Sequence, residues 1–176
     1  MFRRIGNYRL PYSYVMALLG VIFAHKPLLL PGIALVLLGV FTRFWSAGHI
    51  VKSDKLSDTG PYAFTRNPLY LGSFFSGLGI FVLVHNWWLL GIFVLGFALF
   101  YGDTIRSEEE YLGGKFGEDF ERYKRNVPVF FPRLWPHKSD DESHFSWQQV
   151  IRNKEHKYFL SSVLVLGLIF LVAYLR

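Results

Sequence analysis

The stretch Leu69–Gly102, LYLGSFFSGLGIFVLVHNWWLLGIFVLGFALFYG, contains no Asp, Glu, Lys or Arg. Its one polar break is His85-Asn86, which divides it into two apolar runs, Leu69–Val84 and Trp87–Gly102. Uninterrupted apolar blocks of this size read as membrane helices rather than as faces of a soluble core. Both are slightly short of the roughly 20 residues a spanning helix wants. The spacing predicts a helical hairpin turning at His85-Asn86, with Trp87 and Trp88 suited to the membrane interface.

Working outward, three more apolar blocks appear at Leu10–Ala24, Leu28–Gly48 and Tyr158–Leu175. The last two have full spanning length. The first is the shortest, and a re-entrant or interfacial course is its alternative. Composition agrees: of 176 residues 52% are hydrophobic and only 18% charged, against roughly 25% charged in soluble domains. The expected fold is therefore an all-α integral membrane protein, a single domain over residues 1–176 with about five transmembrane helices. Loops 49–68 and 103–157 hold nearly all the polar residues, and the second is long enough to form a small C-terminal cytoplasmic layer.

Basic residues orient the chain. Arg3, Arg4 and Arg9, then Lys52, Lys55 and Arg66, then the dense series from Arg106 to Lys157 fall on one side, and Lys26 and Arg176 on the other. The positive-inside rule places the N-terminus and both polar loops in the cytoplasm. The net charge of +6 then reads as loops facing anionic lipid rather than as a nucleic-acid surface. The basic N-terminus precedes no small-residue cleavage site, so a cleaved leader is not expected. Cysteine is absent, which excludes disulfides and thiolate chemistry. The six histidines are scattered without ligand spacing, and no metal site is expected.

In the second loop, Glu118–Asn126 reads as a helix with acids first, bases last, and an apolar stripe of Phe116, Phe120, Tyr123 and Val127. Ser139 and Glu142 have capping-box spacing and predict a surface helix presenting Trp147, Val150 and Ile151. Arg43 lies inside the second apolar block, where it either snorkels to the interface or lines a pocket. Gly72, Ser73, Ser76 and Gly77 have the small-xxx-small spacing of packed membrane helices.

Two polar constellations stand out. Thr59–Gly72 holds a Gly60-Pro61 turn, then Arg66 and Asn67 where Pro68 opens a helix, a helix mouth that favours an anion. Glu108-Glu109-Glu110 follows the fourth apolar block. Three acids in a row are ordinarily a solvated face, and neighbours on a helix point about 100° apart, so one or two at most can share a pocket. Gly113-Gly114 is expected to end or kink that helix. The predicted hairpin brings both constellations out side by side, and clustered cations and anions at one mouth suit a zwitterionic ligand.

These residues carry a resemblance. Gly60, Tyr62, Arg66, Asn67, Pro68, Tyr70 and Gly72 fit Gly-x-Tyr…Arg-His/Asn-Pro-x-Tyr-x-Gly. Glu108, Glu109, Leu112, Phe116 and Gly117 fit Glu-Glu-x-x-Leu-x-x-x-Phe-Gly, with Tyr123, Val127, Pro128 and Pro132 trailing. Over roughly residues 40–135 the chain resembles the integral membrane methyltransferases that include isoprenylcysteine carboxyl methyltransferases and phospholipid methyltransferases. Leu112 fixes the register, so the glutamate pair is Glu108-Glu109 and Glu110 stands outside it.

The resemblance implies S-adenosyl-L-methionine bound on the cytoplasmic side by Asn67, Pro68, Tyr70, Gly72, Glu108 and Glu109, with Leu56 (in Asp54–Ser57) and Tyr62 helping to line the pocket. It implies methyl transfer to a lipophilic acceptor, with Arg66 or Arg106 orienting an anionic substrate or the methionine carboxylate. Two positions depart from the prenylcysteine pattern: Asn67 replaces His, and Thr104 stands where an Arg is usual. Both loosen the tie to that substrate and leave the cofactor untouched. Lys115-Phe-Gly117 and Val127-Pro128 also fit NADPH-dependent sterol and steroid reductases, the alternative enzyme class. A membrane scaffold or small transporter is the non-enzymatic alternative.

Overall fold

Apolar blocks, caps and turns divide the chain into helices, as seen in a computed structural model that describes residues 5–24, 29–50, 55–139 and 144–176. They are α1 (Arg9–Ile22), α2 (Leu29–His49), α3 (Pro68–Val84), α4 (Trp87–Phe116), α5 (Glu118–Asn126), α6 (Trp147–Arg152) and α7 (Glu155–Leu175). Single 3-10 turns lie at Ile5–Tyr8 and Gly60–Ala63, and no strand occurs among the described residues. Arg3, Arg4, Lys26, Lys52 and Asp54 lie outside the described residues, as does Glu142.

The protein is an all-α membrane protein. α2, α4 and α7 are long and apolar enough to cross a bilayer. α3 has 17 residues and α1 has 14; at 1.5 Å rise they extend ~26 and ~21 Å, short of the ~30 Å hydrocarbon core. Three of the five expected spans therefore have crossing length.

The hairpin turns where the sequence breaks. His85 closes α3 in the left-handed conformation, and the Asn86 side chain accepts the Leu89 N–H at 3.1 Å to cap α4. α3 nevertheless packs most intimately with α2. A Cβ added at Gly72 would stand 2.7 Å from the Gly39 carbonyl, and one at Gly79 2.7 Å from that of Gly32, so the backbones approach as only glycine permits. The α4 side of α3 is filled by aromatics, with Phe74, Phe81, Phe93, Phe97 and Tyr101 in mutual contact. Gly77 faces this layer, against the Phe93 ring, and does not share the α2 contact.

Arg43 neither snorkels nor lines the cavity described below. Its guanidinium donates from Nε to Glu155 Oε2 at 2.9 Å, from Nη2 to Glu155 Oε1, and from Nη1 to Ser73 Oγ at 2.6 Å. The Tyr158 ring covers it at 3.9 Å. The pair ties the start of α7 to α2 and α3. Asn153, just before α7, donates to the Ala47 and Ile50 carbonyls and so serves the end of α2.

Two expectations are corrected. Gly113-Gly114 does not end α4; the helix runs on to Phe116, and Gly117 at φ 53° stops it. Two helical glycines cost about 1 kcal/mol each relative to alanine, which a 30-residue helix packed on α5 absorbs. Residues 103–116 are thus a rigid extension of α4 rather than loop. The surface helix expected from Ser139 is seen at Trp147–Arg152, preceded by non-helical residues 144–146, and the Ser139 hydroxyl donates to Asp58 at 2.6 Å rather than capping it. The α5 reading agrees in both ends and stripe, with Phe120, Tyr123 and Val127 buried.

Arg43→Met alone strands the Glu155 carboxylate, and loss of one partner of a buried pair costs about 3–5 kcal/mol. Thermal unfolding in detergent should show a large fall in Tm for Arg43→Met and a much smaller one for Arg43→Met with Glu155→Leu.

Candidate functional site

The site starts from a loop that cannot wander. Gly60, at φ 56°, and Pro61 open the 3-10 turn before α3. A strap, residues 128–137, then pins the turn from outside. Arg66 N–H donates to the Pro128 carbonyl at 2.9 Å, Arg133 N–H to Phe64 at 3.0 Å, and His137 N–H to Ala63 at 2.9 Å. Side chains add to the clamp, Thr65 Oγ1 donating to the Phe130 carbonyl and Asn67 Nδ2 to that of Val129, each at 2.9 Å. Arg66 and Asn67 are thereby fixed at the mouth of α3, with Pro68 in its first turn.

The extension of α4 supplies the acids. Glu109 turns toward Arg66, with Nη2–Oε1 at 3.1 Å and the two side chains only 19% and 10% exposed. Glu108 points elsewhere: it accepts the Tyr70 hydroxyl at 2.6 Å, while Arg9 Nη1 donates to the same hydroxyl at 2.9 Å. Glu110 is outside the cavity both acids border.

That cavity measures about 280 Å³. Leu56, Tyr62, Arg66, Asn67, Glu108 and Glu109 all line it, so six of the residues singled out in the sequence converge on one space. Phe116, Phe120 and Tyr123, the apolar stripe of α5 and its approach, form the aromatic wall, with Tyr111 and Leu112 of α4 beside them. Arg66 Nε and Nη1 and the Tyr62 hydroxyl are buried here and have no hydrogen-bond partner among the described residues. Buried donors in that state carry a desolvation cost that a ligand acceptor removes. Burial raises the Tyr62 and Tyr123 phenols above their ordinary pKa, so both remain protonated donors; Tyr123 donates to the Tyr62 carbonyl at 2.7 Å.

Four of the residues expected in the site lie off the cavity. Pro68 is spent on starting α3 and Gly72 on the close contact with α2. Tyr70 reaches the site only through Glu108. Arg106 is exposed and borders a separate hollow with Glu109, Glu110, Gly113 and Lys124, not the cavity that Arg66 lines. The sequence reading missed Arg9, whose separation of 61 residues from Tyr70 leaves no local signal, and Tyr111, a single aromatic after an acid run. Among the described residues no His, Asp or Glu group is arranged to hold a metal.

The fold and this site define an α-helical membrane protein with an aromatic-walled cavity between the loop before α3 and the extension of α4. The chain belongs to the phospholipid methyltransferase family, whose sequence pattern matches residues 19–119. It is 35% identical over 142 residues to the cobalt-zinc-cadmium resistance protein CzcN of Cupriavidus metallidurans, covering 74% of this chain and 64% of that one. It is 37% identical to the nickel-cobalt-cadmium resistance protein NccN of Alcaligenes xylosoxydans xylosoxydans, over 74% of this chain and 65% of the relative. The protein-S-isoprenylcysteine O-methyltransferase of Saccharomyces cerevisiae is 40% identical over 57% of this chain and 47% of its own length. The chain thus spans about two-thirds or less of these relatives. No solved structure matches it significantly.

Asn67→Leu deprives the Val129 carbonyl of its shorter bond, leaving only Thr65 Oγ1 at 3.4 Å, and loosens the strap. A broken bond of this kind costs about 1–3 kcal/mol, and hydrogen exchange should accelerate at the Arg133 and His137 amides while those within α2 are unchanged.

Proposed function

We propose that this protein is an S-adenosyl-L-methionine-dependent methyltransferase acting on a lipophilic acceptor that reaches the site from the bilayer. The observation that carries the reading is Arg66, buried in the cavity beside a glutamate pair with two guanidinium nitrogens that find no partner among the described residues. Bound there, S-adenosyl-L-methionine supplies an electrophilic methyl group on a sulfonium. Its chemistry fits the donor set: Arg66 Nε and Nη1 suit the carboxylate, Glu108 and Glu109 suit hydroxyls or the amino group, and the aromatic wall suits the adenine and the cationic sulfur. Leu56, Tyr62 and Asn67 complete the enclosure, with Tyr62 offering a protonated hydroxyl.

No covalent intermediate on the protein is required. The residues would hold the methyl donor still and exclude water, so that alignment supplies most of the acceleration. By the positive-inside rule the cavity and the N-terminus face the cytoplasm, where the donor is met. The family pattern and the name of the yeast relative support a lipophilic acceptor.

Isothermal titration of the detergent-solubilised protein with S-adenosyl-L-methionine tests the reading. Wild type should bind, and Arg66→Ala and Glu109→Ala should each weaken binding about tenfold or more, the value of a charge-assisted hydrogen bond of ~1.5–3 kcal/mol. Arg106→Ala should leave affinity unchanged. Binding of NADPH with none of S-adenosyl-L-methionine would overturn the proposal in favour of a reductase.

A further inference from the structure

The strap that pins the cavity mouth has a second face. Its inward residue, Phe130, packs between two apolar helices, with ring centroids 5.8 Å from Phe74 of α3 and 6.0 Å from Phe97 of α4. Phe74 lies six residues into α3, about 9 Å below its start at 1.5 Å per residue. The strap therefore dips to the level of the apolar helix surfaces. Its outward residues Phe131, Leu134 and Trp135 are nonetheless 76%, 88% and 76% exposed. Three large apolar side chains this bare, grouped within five residues, are not what a water-facing loop carries.

Charge and backbone chemistry identify the occupant. The stretch Val127–Lys138 contains no acid; Arg133 sits within the apolar group and Lys138 just after it, with Arg125 before the stretch. Aromatic rings with neighbouring cations are the composition of a membrane interface, where rings meet acyl chains and cations meet phosphates. Pro128, Pro132 and Pro136 bring no N–H to desolvate, and the Arg133 and His137 amides are already bonded to the loop before α3.

We propose that Phe131, Leu134 and Trp135 form a lip inserted into the leaflet on the cavity side of the membrane, covered by phospholipid acyl chains, with Arg133 and Lys138 at the level of anionic headgroups. The lip is continuous through Phe130 with the lipid-facing helix bundle. Through the Pro128 and Val129 carbonyls it is also continuous with Arg66 and Asn67. Lipid contact at the lip therefore braces the loop that forms the cavity. This inference rests on the membrane fold and is independent of the reaction catalysed.

The chain has no cysteine, so single labels can be placed without background. Leu134→Cys and Trp135→Cys, each in the full chain, are labelled with an environment-sensitive fluorophore and reconstituted in nanodiscs of phosphatidylcholine and phosphatidylglycerol. Leu164→Cys in α7 serves as lipid reference and Glu118→Cys in α5 as water reference. Lipid bearing a nitroxide on its acyl chain should quench both strap labels as strongly as the Leu164→Cys label, with blue-shifted emission, while aqueous iodide should not. Quenching by iodide as at Glu118→Cys would overturn the proposal. Protection from both quenchers would overturn it too, since it would mean that protein, such as a second copy of this chain, covers the strap. Because both side chains are exposed, neither substitution removes packing, and agreement between the two positions guards against a local disturbance.

Discussion

Arg66 is nine-tenths buried at the mouth of α3 with one nitrogen engaged by Glu109 and two without partners among the described residues. A guanidinium cannot be left so far from water unless its surroundings compensate the charge and hold it there. The compensation is Glu109, and it reaches Arg66 only because α4 continues unbroken beyond the apolar run. The holding is done by the strap, whose carbonyls at Pro128 and Val129 accept from Arg66 N–H and Asn67 Nδ2. Breaking either support would relax the cavity toward hydration, so the strap is part of the site although none of its residues lines the cavity, while the α4 extension supplies much of the wall.

The bundle beneath is built to keep that mouth in register. Glycines on α2 and α3 bring the two backbones together, while a layer of aromatic rings sets α3 and α4 apart. The two faces of α3 thus have different spacers, and the helix cannot rotate without placing bulk where none fits or leaving a void. The Arg43–Glu155 pair adds a third tie, anchoring α7. Polar groups inside a membrane protein often mark a pathway; this pair is fully engaged by Glu155, Ser73 and Tyr158, and its geometry is that of a joint.

The sequence and the structure agree most closely where local chemistry decides. Asn86 caps α4, His85 turns the chain, and α5 begins after Gly117 and ends before Val127. They diverge where a long-range partner competes. Gly113-Gly114 looked like a helix end, but packing on α5 and the sharper conformational demand at Gly117 moved it. Ser139 looked like a helix cap, but Asp58 took its hydroxyl. Gly72 is committed to the α2 contact, and Arg106 borders a hollow outside the cavity, which it shares with Glu109.

What the sequence determined by itself is the membrane class, the hairpin, the register of the glutamate pair and the family. Each follows from local signals: apolar length, turn residues, and motif spacing along one chain. What only the tertiary structure decided is the division of labour within those motifs. Glu108 and Glu109 are adjacent in sequence, but the helical phase sends one to Tyr70 and Arg9 and the other to Arg66. Arg9 and the strap enter the site from more than 50 residues away on either side, joined by hydrogen bonds that leave no periodic trace. The hairpin that decided the fold supplies the frame, and the contacts across it determine which of its polar residues face the cavity.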